Sequence, residues 1–279
     1  MPELPEVEAA RVIAQRVAAG RRIVAAHCTE DPIVFEGVSA ARFTRALKGC
    51  RVTAVRRRGK HLWLELDRRP WPTFHFGMAG GFHSTAMRGV RLVSHGSVDR
   101  FADWPPRFTK LRLTFEDGGE LVMTDGRRLG RIRLREDPLR EPPISLLGWD
   151  ALHELPPPAR FRAALRERTA PIKAVLLDQG FAAGVGNWIA DEVLYQARIA
   201  PGRRAHTLTP AEADRLRARI RSVMKTAVGA RSDSDGFPRT WLFHHRWGKN
   251  ADARTARGER IRHTTVGGRT TAWVPGVQR

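Results

Sequence analysis

Hydrophobic periodicity changes character near residue 137 of this 279-residue chain, and that change restricts the fold more than any single motif does. Before it, "RIVAAHC", "RVTAVRRRG", "HLWLELD", "TFHFGM", "KLRLTFED", "ELVMTD" and "RIRLRED" are short alternating or β-rich runs divided by Gly, Pro and Asp. Successive side chains of a strand point to opposite faces, so such runs suit an antiparallel sandwich or barrel. The proline-rich stretches "DPLREPPISLLG" and "HELPPPAR" then stop regular structure, because proline lacks an N–H and clashes with a preceding helical turn. Beyond them the spacing predicts helices over about 159–168, 171–179, 187–197 and 210–229, the last introduced by the cap-and-proline signal "TLTPAEAD". The tail from about 240 returns to strand pairs around the turn "VGGR". The expectation is an α+β chain with a β-rich domain over 1–137, a linker over 138–148, a helical domain over 149–236 and a terminal segment over 237–279.

Charge narrows the partner. With 49 Lys+Arg against 29 Asp+Glu the net charge is +20, more than solubility requires, and a polyanion is the physical explanation. Nucleic acid is favoured over a membrane surface because no long amphipathic basic helix stands out. No run of about 18 apolar residues occurs, and the N-terminal stretch carries acids where a signal peptide has a basic region. A soluble intracellular protein is expected. The chain has 2 cysteines, Cys28 and Cys50, too few for a disulfide framework or a four-cysteine zinc site. The adjacent His244 and His245 in "FHHRWGKN" are the best remaining metal candidates, but neighbours on a strand point apart and cannot readily share one ion. No cofactor is predicted.

The opening "MPELPEVEAARVIAQRV" admits two interpretations. In one, Pro2 or Pro5 begins a helix whose Glu3, Glu6 and Glu8 favour its positive end and whose apolar stripe is Val7, Ala10, Val12, Ile13 and Val17. In the other, removal of Met1 leaves Pro2 with a free secondary amine able to form a charged iminium with an electrophilic carbon. The stretch alone does not choose. Three further sites could meet a phosphate. Lys60 follows a glycine turn in "RRRGKHLWLEL"; Asn187 opens a helix after the glycine-rich "GFAAGVGN"; Arg269 adjoins the Gly-Gly turn of "TVGGRTTAW". Solvated charge and plain helix capping are the ordinary alternatives for such residues.

Taken in order, "PELPEVE", "GKHLWLEL", "FGMAG", "TDGRRLG", "LLDQGFAAGVGNWIADEVLY" and "GGRTTAWVPGVQ" resemble the formamidopyrimidine-DNA glycosylase family of base-excision repair enzymes across nearly the whole chain. The resemblance implies a fold with an N-terminal β-sandwich behind a leading helix, a helix-two-turn-helix domain and a C-terminal β-hairpin finger. It implies a bifunctional DNA glycosylase/AP lyase: Pro2 as nucleophile at C1′ of the damaged nucleotide, Glu3 as the acid at the sugar-ring oxygen, Glu6 as support. An N-terminal amine titrates at about 8, so part of it is nucleophilic at neutral pH. Lys60, Asn187 and Arg269 match the family's phosphate clamp, and Lys173 in "PIKAVLLDQ" matches a further DNA-contacting lysine. Met78, Arg127 and Leu129 match the side chains that fill the void left by a flipped base. The implied partner is damaged double-stranded DNA, bound by a monomer with no membrane, in the nucleoid or nucleus.

Two departures modify this expectation. Leu129 stands where an aromatic wedge is usual, although leucine can also wedge between base steps. Relatives usually end in a four-cysteine zinc finger, and here Ala251, Ala256, Val274 and Val277 occupy comparable places. The tail therefore resembles the zincless finger of the plant and fungal branch, with Val274, Val277, Trp273, Ile261 and Val266 expected to pack in place of the metal. The segment "WPPRFTK" also resembles that branch. Because "ARSDSDGFPR" is short beside the lesion-capping loop of many relatives, formamidopyrimidines, abasic sites and hydantoins are expected to be better substrates than 8-oxoguanine. A catalytically silent lesion-binding protein on the same scaffold is the alternative function.

Overall fold

The computed structural model describes residues 2–85, 104–248 and 250–279. The chain forms two units, Met1–Leu146 with Arg231–Ser234, and Leu147–Ala230 with Asp235–Arg279. The α+β architecture expected from the sequence is present.

The first unit begins with α1 (Leu4–Ala18). Its start is set by a reciprocal capping box between Glu3 and Glu6 and by Pro5 in the first turn, where the missing N–H costs nothing. Leu4, Val7, Ala10, Ile13, Ala14 and Val17 are buried at helical spacing; Ala14, rather than Val12, completes the inward stripe. Pro2 lies outside the helix, next to its cap. The strands are β1 (Ile23–Cys28), β2 (Val52–Arg58), β3 (His61–Leu66), β4 (Trp71–His75), β5 (Gly81–His83), β6 (Thr109–Phe115), β7 (Glu120–Thr124) and β8 (Arg131–Arg135). They make two antiparallel four-stranded sheets, ordered β1-β6-β7-β5 and β2-β3-β4-β8. Inward residues of both, among them Val55, Leu62, Leu64, Phe74, Leu111, Leu113, Phe115 and Ile132, share one core with Ile13 and Val17 of α1.

Two elements escape the periodicity argument. The helix α2 (Ala40–Leu47) is only 8 residues long, yet Ser39 caps it by accepting from the Arg42 N–H at 3.3 Å, and Phe43 and Leu47 enter the core. Strand β5 spans 3 residues, too few to show an alternation.

The second unit contains α3 (Pro158–Arg166), α4 (Ile172–Leu177), α5 (Asn187–Ala197) and α6 (Pro210–Gly229), close to the expected ranges. Thr209 and Glu212 form the capping box of α6. A parallel pair, β9 (Trp149–Asp150) with β10 (Ala182–Ala183), precedes a terminal hairpin of β11 (Arg262–Val266) and β12 (Arg269–Trp273). Gly267 and Gly268 turn that hairpin with φ of 59° and 71°, the positive values a two-residue type I′ turn needs. No helix among the described residues is long and apolar enough to cross a membrane.

Candidate active site and nucleic-acid interface

Pro2 and the two carboxylates beside it are buried, with Glu3 2% and Glu6 5% exposed. The Glu3 N–H donates to Glu6 Oε2 at 2.9 Å. Glu6 thus fixes the backbone that carries Pro2 and Glu3.

Lys60 is also buried, on the turn between β2 and β3 where Gly59 has φ of 55°. Arg57 ties this turn to α1. Its guanidinium, inaccessible to solvent, pairs with Glu8 at 2.8 Å and donates to the Gly59 carbonyl at 3.0 Å. Next to the turn, His61 and His75 face each other across β3 and β4 with ring centroids 4.8 Å apart. Burial, then His75, Arg133 and Lys60, bring His61 down to about 3. Burial, then the cations Lys60, Arg133 and Arg131, bring His75 down to about 4. Both rings are neutral at pH 7, and the Gly77 N–H donates to His75 Nδ1 at 3.2 Å.

The turns that carry Met78 and Leu129 approach each other at their backbones. A Cβ on Gly77, whose φ is 59°, would overlap the Leu129 carbonyl. Asp125, fully buried, holds the second turn by accepting from the Arg127 N–H at 3.0 Å and the Gly130 N–H at 2.6 Å. Leu129 remains 42% exposed and Arg127 is exposed, while the Arg128 guanidinium is occupied by Asp31 at 3.0 Å.

In the second unit Asn187 is the first residue of α5, and Gly186, not Asn187, is the N-cap. The Asn187 side-chain amide donates to the Thr270 carbonyl at 2.9 Å, which sets it against the finger hairpin. Arg269, paired with Val266 at the hairpin turn, is exposed. Lys173 is fully buried: its ammonium pairs with Asp191 at 2.6 Å and donates to Thr271 Oγ1 at 2.7 Å.

Within the finger, Ile261 and Val274 are buried as expected, but their companions are Tyr195, Leu242 and Ala272, with Ala253 and Val277 packed alongside. Trp273 and Val266 lie outside this cluster, because they alternate to the other face of the hairpin from Ala272 and Val274 or sit at its tip. Ala251, Ala256, Val274 and Val277 offer no donor atom, so these residues do not fit a zinc ion. The sequence reading missed Asp191, Glu192 and Arg246. A signal existed: "NWIADEVLY" is an apolar helix with two adjacent acids, and carboxylates that must be buried need partners. Glu192 accepts from the Phe243 N–H at 2.8 Å and from Gln196 Nε2 at 2.7 Å, and burial pushes its carboxyl up to about 7.

The first unit is a β-sandwich with a buried Pro-Glu pair at a helix start, and the second is a helical unit ending in a hairpin with an exposed arginine at its turn. Residues 1–132 match the formamidopyrimidine-DNA glycosylase N-terminal domain, and residues 147–237 match its H2TH domain. A formamidopyrimidine-DNA glycosylase of Arabidopsis thaliana is 42% identical over 281 residues, covering 100% of this chain and 71% of the relative. A formamidopyrimidine-DNA glycosylase of Thermus thermophilus is 35% identical over 290 residues, covering 100% and 98%. Among solved structures, the Lactococcus lactis enzyme non-covalently bound to DNA containing an AP site has a TM-score of 0.80 and 25% identity, covering 99% of each chain. MutM in complex with DNA containing carbocyclic 8-oxo-G has a TM-score of 0.81 and 25% identity, covering 100% of each. The chain belongs to the formamidopyrimidine-DNA glycosylase family, the DNA glycosylases of base-excision repair.

Proposed function

We propose that this chain excises ring-opened purines from damaged duplex DNA and cleaves the strand through a covalent intermediate on Pro2. The observation that carries the reading is the buried Pro2 at the capped start of α1, with Arg57 tying that helix to the turn of Lys60. Once Met1, outside the described residues, is removed, the Pro2 nitrogen lone pair attacks C1′ and the bond to the base breaks, the base leaving with a proton. Glu3 gives its proton to the ring oxygen O4′, the C1′–O4′ bond opens, and the nitrogen lone pair completes an iminium. The iminium withdraws electrons and acidifies C2′–H. Loss of that proton expels the 3′-phosphate, a second elimination expels the 5′-phosphate, and water releases Pro2.

Lys60, Asn187 and Arg269 act in this scheme as the phosphate clamp, with Met78, Arg127 and Leu129 entering the vacated stack. Holding a flipped nucleotide opposes an unstacking cost of a few kcal/mol. Formamidopyrimidines, abasic sites and hydantoins are the favoured substrates over 8-oxoguanine. What supports this is the brevity of the segment after α6, where Arg231 and Ser232 have φ of 52° and 57° and a single 3-10 turn, Ser234–Gly236, follows.

Borohydride trapping on an abasic-site duplex tests the mechanism, because only an iminium is reduced to a stable adduct. Pro2→Gly is expected to lose trapping and excision by on the order of 1,000-fold or more while duplex affinity holds, since nucleophile and acid act as one unit. Normal excision by that variant would refute the assignment.

A further inference from the structure

Lys173 was expected at DNA, yet its ammonium is at the centre of a buried charge network that the reaction scheme does not use. Asp191, on α5 and 1% exposed, is the hub. One carboxylate oxygen meets Lys173 Nζ at 2.6 Å; the other meets Arg246 NH2 at 2.6 Å and accepts from the Ala272 N–H of β12 at 2.9 Å. Lys173 in turn donates to the Thr270 carbonyl at 3.2 Å and to Thr271 Oγ1 at 2.7 Å. The same Thr270 carbonyl accepts from Asn187, and Thr271 Oγ1 donates to the Arg269 carbonyl at 3.1 Å. At the hairpin tip, a Cβ on Gly267 would stand 3.1 Å from the Cβ of Ala174, the neighbour of Lys173. Helices α4 and α5 therefore grip three consecutive residues, Thr270 to Ala272, immediately after Arg269.

We propose that Asp191 is a positioning residue for DNA binding: through Lys173, Arg246 and the Ala272 N–H it fixes the finger hairpin to α4 and α5, and so sets Arg269 relative to Asn187. The inference rests on the phosphate-clamp reading of those two residues. Where a four-cysteine finger is shaped by its metal, this one is held at its base by one carboxylate shared between two cations and a backbone amide. Asp191 lies four residues after Asn187, one helical turn, so a single helix carries both a clamp residue and the anchor of the opposing arginine. Removing the carboxylate leaves two buried cations without their counter-charge, which frees the hairpin from the helices rather than merely loosening the core.

The full chain carrying Asp191→Asn is compared with wild type, Arg269→Ala and the double variant. Amide hydrogen exchange of residues 262–273 and binding to an abasic-site duplex over a salt series are both measured. The single variant is expected to exchange faster in the hairpin with α6 unchanged. Because one phosphate contact is lost, affinity falls by about 10-fold and the slope of log K against log salt falls by about one. Adding Arg269→Ala should then cost nothing more, because Asp191 acts through that arginine. Independent, additive losses, or unchanged hairpin exchange, overturn the proposal. If Asp191→Asn fails to fold, Thr271→Val, which removes one grip without unbalancing charge, gives the same pattern at smaller size, and additivity there is equally fatal. Hairpin exchange needs no DNA, so it decides the anchoring even if Arg269→Ala binds as wild type, the result that would sink the clamp instead.

Discussion

The paired His61 and His75 illustrate how much of this molecule is decided one residue at a time. Both rings are held neutral beside Lys60, and their folded values, about 3 and about 4, lie below the unfolded value of about 6.5. Stability from a depressed group is fully present above its unfolded pKa and is lost as pH falls through the folded one. The loss therefore begins near pH 6.5 and continues towards pH 4. Glu192 has the opposite sign: its folded value, about 7, lies above the ordinary carboxyl value, so its contribution is present in acid and lost as pH rises through 7. Lowered carboxyls such as Glu212, at about 2, act only below their unfolded range of about 4.5. Between pH 6.5 and 4.5 Glu192 titrates with the opposite sign, but equally in wild type and His61→Phe, so the histidines are read as the difference between the two: His61→Phe should flatten the fall in urea midpoint relative to wild type across that window. Equal slopes in the two proteins would show that the pair does not titrate on unfolding. The sequence places each histidine on a strand, but not the pairing register that sets them opposite each other, because register is a long-range property.

At the scale of elements, the two cations of the proposed clamp ride on glycine turns, which is why they were legible as candidates at all. Lys60 follows Gly59, and Arg269 follows Gly267 and Gly268; positive φ at these glycines lets the chain reverse within two residues and present the next side chain. The long helices and the other seven strands of the first unit were likewise readable from capping signals and alternation, whereas α2 and β5 were not, being shorter than the windows over which periodicity is judged. The buried state of Lys173 was hidden for a different reason: a lysine in an apolar helix looks the same in sequence whether it faces a phosphate or an aspartate from another helix. If Lys60 and Arg269 do meet phosphates, each neutralised phosphate releases condensed counterions. Lys60→Ala or Arg269→Ala should then weaken duplex binding and lower the steepness of log K against log salt by about one each. An unchanged slope in either variant would show that the side chain in question neutralises no phosphate.

For the whole molecule, the net charge of +20 supplies attraction to any duplex, but attraction alone does not keep a terminal hairpin folded. In zinc fingers the metal does that, and chelation unfolds them. Here Ala251, Ala256, Val274 and Val277 cannot coordinate an ion, and the hairpin rests on the cluster of Tyr195, Leu242, Ile261, Ala272 and Val274 with Val277 packed against it. Apolar burial has no dependence on a chelator. Activity on an abasic-site duplex should therefore survive dialysis against EDTA, and elemental analysis should find well under one zinc per chain. Inactivation by EDTA that added zinc reverses would require donors such as His244, His245 or His263 to bind an ion. Val277→Asp provides the complementary check, since an unpaired carboxylate facing that cluster is strongly unfavourable. The substitution should disorder the finger and weaken duplex binding by about 10-fold or more, while excision by the molecules that do bind stays near normal because the Pro2 site is untouched. Undiminished affinity in Val277→Asp would mean that the apolar cluster does not hold the finger in place.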